Sequence, residues 1–122
     1  MLREVRNARQ IPGDPPRRWF SDEYFDLIVW YEEDGSFYGF QLCYDLEKKP
    51  RALTWTNRHG YHHAGIDTGE NTYGGGKESP VLTADGLFDA PSVGALFEKA
   101  AAGLPHEVAA FVKRKVKEFR LR

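Results

Sequence analysis

An α+β fold is predicted: a curled antiparallel β-meander of about four to six strands, with two C-terminal helices packed on one face. Three observations predict it. Residues 25–66 are filled by short runs of β-branched and aromatic residues separated by turn signals. One of those turns is Asp34-Gly35, set between Phe25–Tyr31 and Phe37–Asp45, where Asp-Gly is the strongest short hairpin signal. After Asp89 the apolar spacing changes from alternation to a helical period of about 3.6 residues. Strands first and helices afterwards imply an antiparallel sheet with its helices gathered on one side.

The chain begins with a charged lead-in, residues 1–11, whose weak alternation (Leu2, Val5, Ala8, Ile11) suits an edge strand or an ordered arm. Ile11-Pro12-Gly13-Asp14-Pro15-Pro16 cannot be helix or central strand, because its prolines lack donors and restrict the residues before them. Arg17-Arg18-Trp19-Phe20 leads to a turn at Ser21-Asp22.

Taking Asp34-Gly35 as a two-residue type I′ turn, with φ > 0 at both positions, sets a register. Tyr31 then faces Tyr38, Val29 faces Phe40, Leu27 faces Leu42 and Phe25 faces Tyr44, all on one apolar side of the pleat. On the other side Trp30 faces Gly39, Ile28 faces Gln41 and Asp26 faces Cys43. Residues 45–50 turn the chain, and Arg51–Thr56 extends the apolar face with Leu53 opposite Leu42 and Trp55 opposite Phe40. Asn57-Arg58-His59-Gly60 is the next turn. A loop of two or four residues there places Ala64 and Ile66 on the apolar face and His63 on the second face; a three-residue loop reverses this.

Residues 67–79, with Gly69 and Gly74-Gly75-Gly76, form a loop, and Pro80–Ala84 a short last strand before an Asp85-Gly86 turn. Asp89-Ala90-Pro91 starts a helix, with Asp89 as N-cap. Val93, Leu96, Phe97, Ala100 and Leu104 make its stripe, and Gly103 serves as its C-terminal stop. Pro105 opens a second helix with Val108, Phe111, Val112, Val116 and Phe119 on one side. The expected organisation is one domain over 1–122: an arm or edge strand over 1–20, sheet over 25–84, a helical pair over 90–120.

Composition narrows function by exclusion. At 122 residues, with 41% hydrophobic and 14% aromatic residues, the chain has the material for a core without metal or disulfide. Its single cysteine, Cys43, has no intrachain partner, and no stretch approaches the roughly 20 apolar residues of a membrane span. Met1–Arg6 has no apolar signal region, so a cytoplasmic location is expected. The net charge of −1 argues against a general nucleic-acid binder. Charge is nevertheless segregated: Ser21–Glu47 holds eight acidic residues and no Lys or Arg, whereas Lys113–Arg122 holds six basic residues against Glu118 alone. Two readings fit the basic helix end: it complements its own dipole and the acidic strands, or it forms a binding surface for an anionic partner.

The familiar chemistry motifs fail on spacing. His59-x-x-His62-His63 offers metal-ligand types, but adjacent His62 and His63 point to opposite sides of a strand. No metal and no cofactor are expected. Gly76-Lys77 is followed by Glu78 and lacks the upstream glycine of a phosphate-binding loop. Cys43 lies mid-strand opposite Asp26, a neighbour that suppresses thiolate formation. Trp19, Trp30 and Trp55 with interspersed arginines suggest base stacking, but the strands around them are acidic.

The second sheet face stands out as a set: Trp19, Asp26, Trp30, Gln41, Thr54 and His63, with Ile28, Cys43 and Thr56. A solvated face would be richer in Lys and Glu, and a core face would not carry Asp, Gln and His. Such a mixture suits a subunit interface or a ligand pocket; the plain alternative is that residues 1–20 cover it. Two readings follow. In the first, a non-enzymatic binding domain uses this face for a homodimer or a protein partner. In the second, the face forms a small-molecule or catalytic site beneath the 67–79 loop, with His63 as acid/base and Asp26 orienting a ligand.

Arg18-Trp19-Phe20, Asp26-Leu27-Ile28-Val29-Trp30, Gly39-Phe40-Gln41-Leu42-Cys43-Tyr44-Asp45 and Ala52-Leu53-Thr54-Trp55 resemble the core of a family of small bacterial proteins of unknown function. The resemblance runs through most of the chain and implies a bacterial, cytoplasmic origin, with no activity or ligand attached.

Overall fold

The computed structural model of the chain describes residues 1–66, 82–83 and 90–120. Its sheet is an antiparallel meander in simple sequence order. The strands are β1 (Arg3–Glu4), β2 (Arg17–Ser21), β3 (Phe25–Tyr31), β4 (Phe37–Tyr44), β5 (Arg51–Thr56), β6 (Gly60–Ile66) and β7 (Leu82–Thr83). The two-residue β1 and β7 are the edges, and the sheet does not close into a barrel. Helices α1 (Ala90–Ala100) and α2 (His106–Arg120) follow, joined by a single 3-10 turn at Ala101–Gly103. The 67–79 loop, the Asp85-Gly86 turn and the Asp89 cap lie outside the described residues.

The central register agrees with the alternation. Leu27 pairs with Leu42 and Leu42 with Leu53; Val29 pairs with Phe40 and Phe40 with Trp55; Phe25 pairs with Tyr44. Phe20 joins this face opposite Leu27. Phe20, Leu27, Val29, Phe40, Leu42 and Leu53 are each 0% exposed, because Val93, Phe97, Val108, Phe111, Val112 and Val116 of the helices cover them. At about 1.5–3 kcal/mol per buried large apolar side chain, this layer is the main source of stability. Phe111 is its hub, stacked on Phe37 at 4.1 Å and edge-on to Phe40 and Trp55 at 5.8 Å. Lys115 lies over the Trp55 ring at 3.9 Å, and Tyr61 Oη donates to the Lys115 carbonyl at 2.7 Å, so α2 is latched to the β5–β6 hairpin.

Four sequence expectations are corrected. The first turn is a three-residue loop: Gly35 N–H donates to the Glu32 carbonyl (3.0 Å), Glu32 N–H to the Ser36 carbonyl (2.7 Å), and Gly35 has φ +89 while Asp34 does not have positive φ. Asp34 Oδ1 instead caps the turn, accepting from Ser36 N–H (2.9 Å) and Oγ (2.6 Å), which holds its carboxyl below the usual range. A bulge then restores the register, so Tyr31 faces Phe37 rather than Tyr38. The second turn is also a three-residue loop and reverses the face of β6: His63 pairs with Leu53 on the helix side, and Ala64 pairs with Ala52 on the other. Leu96 is 43% exposed and sits outside the α1 stripe. Gly103 has no positive φ to accommodate. A Cβ there would run into the Leu2 carbonyl and lie 2.8 Å from Met1 Cγ, so its glycine lets the first residues lie close to the helical pair.

Residues 1–21 extend the sheet rather than folding across it. Arg17–Ser21 pairs with Trp30–Asp26, and Arg3–Glu4 pairs with Ser21–Phe20. Leu2, fully buried, ties this edge to the helices through Leu2 N–H to the Ala100 carbonyl (3.0 Å).

Candidate functional site: the second sheet face

Following the pairing across the strands places three rows on the face turned away from the helices. One row is Arg17, Trp30, Gly39, Thr56 and Gly60; the next is Trp19, Ile28, Gln41, Thr54 and His62; the third is Ser21, Asp26, Cys43, Ala52 and Ala64. Burial is graded across them. Ala52 and Ala64 in the third row are 1% and 0% exposed, whereas Trp19, Ile28, Trp30, Gln41, Thr54 and Thr56 are half-buried and His62 is exposed. Ser21, Asp26 and Cys43 of the third row are half-buried as well, so open surface runs along all three rows and is lost only at Ala52 and Ala64.

Five of the six candidate residues, Trp19, Asp26, Trp30, Gln41 and Thr54, share this face. The sixth, His63, does not. It lies on the helix side, where Nε2 is 2.7 Å from Tyr44 Oη and its ring stacks near Tyr44 (6.0 Å, 14°) and Phe119 (6.2 Å). The sheet separates it from Asp26, so the two do not form one acid/base pair. His62 takes the place beside Thr54. His59 is exposed in the turn, its N–H bonded to Thr56 Oγ1 at 3.0 Å. The sequence reading places neither His62, named only within the histidine group, nor Arg17 on this face; extending strand pairing one strand further on each side finds both.

The polar groups of the face largely satisfy one another. Trp19 Nε1 donates to Asp26 Oδ1 at 2.8 Å, linking β2 to β3. Gln41 Nε2 donates to Thr54 Oγ1 at 3.1 Å across the β4–β5 pair, and Gln41 Oε1 lies 3.9 Å from Cys43 Sγ. Burial, with the Asp26 charge adding to it, pushes the Cys43 thiol up to about 11, so it stays protonated at neutral pH and is a poor nucleophile. Gly39 serves packing: a Cβ there would run into the Trp55 carbonyl and lie 2.8 Å from Thr56 Cα. What remains is an aromatic and aliphatic centre whose polar groups are paired, with Arg17 and His62 at its two margins, chemically suited to contact rather than to proton transfer.

Against known proteins, the chain matches no family model, no curated protein and no solved structure. The resemblance to small bacterial proteins therefore rests on the quoted segments alone.

Proposed function

We propose that the protein is a non-enzymatic interaction domain whose second sheet face pairs with a second copy of the chain. The observation carrying this reading is the internal pairing of Trp19 with Asp26 and of Gln41 with Thr54. Burying an unpaired polar group costs about 1–3 kcal/mol. Groups that keep their partners can be desolvated with much less loss, so this face can be covered by a protein surface. Shape supports a twofold arrangement. One row has the bulk of Arg17 and Trp30 toward one end and open space at Gly60 at the other, so a symmetric pairing sets the bulk of each copy against the space of its partner. The catalytic alternative requires His63 and Asp26 together and loses that pair to the β6 register. A bacterial cytoplasmic setting belongs to the same reading and rests on the resemblance of the quoted segments; among the described residues, no helix is long and apolar enough to cross a membrane.

Sedimentation equilibrium tests the proposal. The wild type is expected at twice the chain mass of 14.0 kDa, with Ile28→Glu returning it to monomer and Trp30→Ala weakening association. A wild-type monomer at the highest soluble concentration, or a dimer indifferent to both substitutions, overturns it.

A further inference from the structure

The segment between β1 and β2 forms a cleft at the Arg17 edge of the second sheet face. Gln10 replaces a strand neighbour for Arg17: its Oε1 accepts from Arg17 N–H (2.9 Å), and its Nε2 donates to the Arg17 carbonyl (2.9 Å) and the Ala8 carbonyl (3.1 Å). Arg17 Nε donates in turn to the Arg9 carbonyl at 2.7 Å. Asn7 takes positive φ (57), turning the chain between Val5, whose N–H donates to the Trp19 carbonyl (2.8 Å), and Gln10. The resulting cleft, about 810 Å³ and open to solvent, is lined by Glu4, Arg6, Asn7, Gln10, Arg17 and Arg18 among others. That volume lies in the usual range for small-molecule sites, about 300–1,000 Å³, but the lining is polar and cationic rather than apolar.

Its charges are not balanced. Glu4 is the one carboxylate in the lining, and Arg18 occupies both of its oxygens, at 2.9 and 2.7 Å. Arg6 makes no ion pair among the described residues, and Arg17 uses only Nε, on a backbone carbonyl. Two guanidinium groups, one of them held by its bond to the Arg9 carbonyl, thus line a space too large for a single ion. Guanidinium forks match the paired oxygens of phosphate groups, and a group held in place loses less freedom on binding.

We infer that this cleft binds the diphosphate or phosphate group of a small soluble molecule through Arg6 and Arg17, with Arg18 contributing charge from its clamp on Glu4.

Titrating isotope-labelled protein with inorganic pyrophosphate at constant ionic strength, followed by amide chemical shifts, tests this. Saturable shifts confined to residues 5–10 and 17–18 are expected, with affinity falling about tenfold or more in Arg6→Gln/Arg17→Gln. Arg3→Gln/Arg9→Gln removes the same charge from outside the lining and is expected to change affinity less than about threefold. If Arg17→Gln loosens the loop, visible as loss of the dispersed Gln10 side-chain amide signals, Arg6→Gln alone decides, with a weakening still expected. Scattered or absent shifts, equal weakening in the control pair, or an unchanged affinity in Arg6→Gln overturns the inference. So does binding to vesicles of equal parts phosphatidylcholine and phosphatidylserine without binding to pyrophosphate, which would assign the arginines to a lipid surface. Dimerisation is a separate readout in the same samples, so either proposal can fail without the other.

Discussion

The β3–β4 and β5–β6 hairpins both turn through three residues, yet they treat their strands differently. In the first, Glu33-Asp34-Gly35 shifts the pairing by one residue and a bulge at Tyr38 shifts it back, so from Gly39 onward every side chain points where an uninterrupted two-residue turn would have sent it. In the second, Asn57-Arg58-His59 shifts the pairing and nothing compensates, so β6 runs in the reversed phase along its whole length. Because side chains alternate with a period of two, one uncompensated residue moves a strand's entire set between faces. The pair teaches that a hairpin's register is decided by turn and bulge together. The two turns also touch: Asn57 N–H donates to the carbonyl of the bulged Tyr38 (2.9 Å), and Asn57 Nδ2 to Glu32 Oε2 (2.6 Å).

The largest expected effect lies where the two hairpins share a row. Leu42 sits between Leu27 and Leu53 and is 0% exposed; Leu42→Ala should cost about 2–5 kcal/mol through lost burial and a residual cavity. Denaturant unfolding with a loss below about 1 kcal/mol would break the common register on which the comparison rests. The bulge itself is probed next. It is the bulge that turns Phe37 toward Phe111 and Tyr31 (4.1 and 5.4 Å), whereas an unbulged strand would put Tyr38 there. Phe37 is half-buried, so Phe37→Ala should cost about 2–3 kcal/mol, below the about 3–5 of a fully buried Phe. Tyr38→Ala should cost under about 1 kcal/mol. The opposite ranking in the same unfolding assay would mean that β4 has no bulge.

The fold and most of the core were legible because they depend on patterns that survive small local errors. Leu27, Leu42 and Leu53 each sit in an every-second-residue series of large apolar side chains on three strands, and the helical stripes of Val93/Phe97 and Val108/Val112/Val116 are regular. The three-residue turn was not legible because Glu33-Asp34-Gly35 suits two geometries: a type I′ turn on Asp34-Gly35, or a type I turn closed by Gly35 at positive φ. Nothing in Phe37-Tyr38-Gly39 chooses, since both aromatics are large and either fits against Phe111. Asn57-Arg58-His59-Gly60 is equally permissive about loop length. The candidate face was legible where β3, β4 and β5 define it, at Asp26, Trp30, Gln41 and Thr54, and failed one strand later at His63. The N-terminal cleft was hidden for another reason: Gln10 and Arg17 hold it through side-chain bonds to backbone, which leave no periodic trace.

The smallest expected effect is also the sharpest discriminator between the hairpins, because it compares adjacent residues. If β6 runs in the reversed phase, His63 packs under the helices against Tyr44 and Phe119, and His62 projects from the second face into solvent. His63→Ala then removes a 2.7 Å bond to Tyr44 Oη and two ring contacts, for a loss of about 1–2 kcal/mol. His62→Ala should lie within about 0.5 kcal/mol of wild type. A double-mutant cycle of His63→Ala with Tyr44→Phe separates the contact from general packing, and a coupling of about 0.5 kcal/mol or more is expected for groups that share a hydrogen bond. Substitutions at His62 and Tyr44 should be additive, since the sheet lies between them. Coupling at His62 instead, with His63→Ala near neutral, would put β6 back in the phase of the first hairpin and return His63 to the face that carries Asp26 and Trp30.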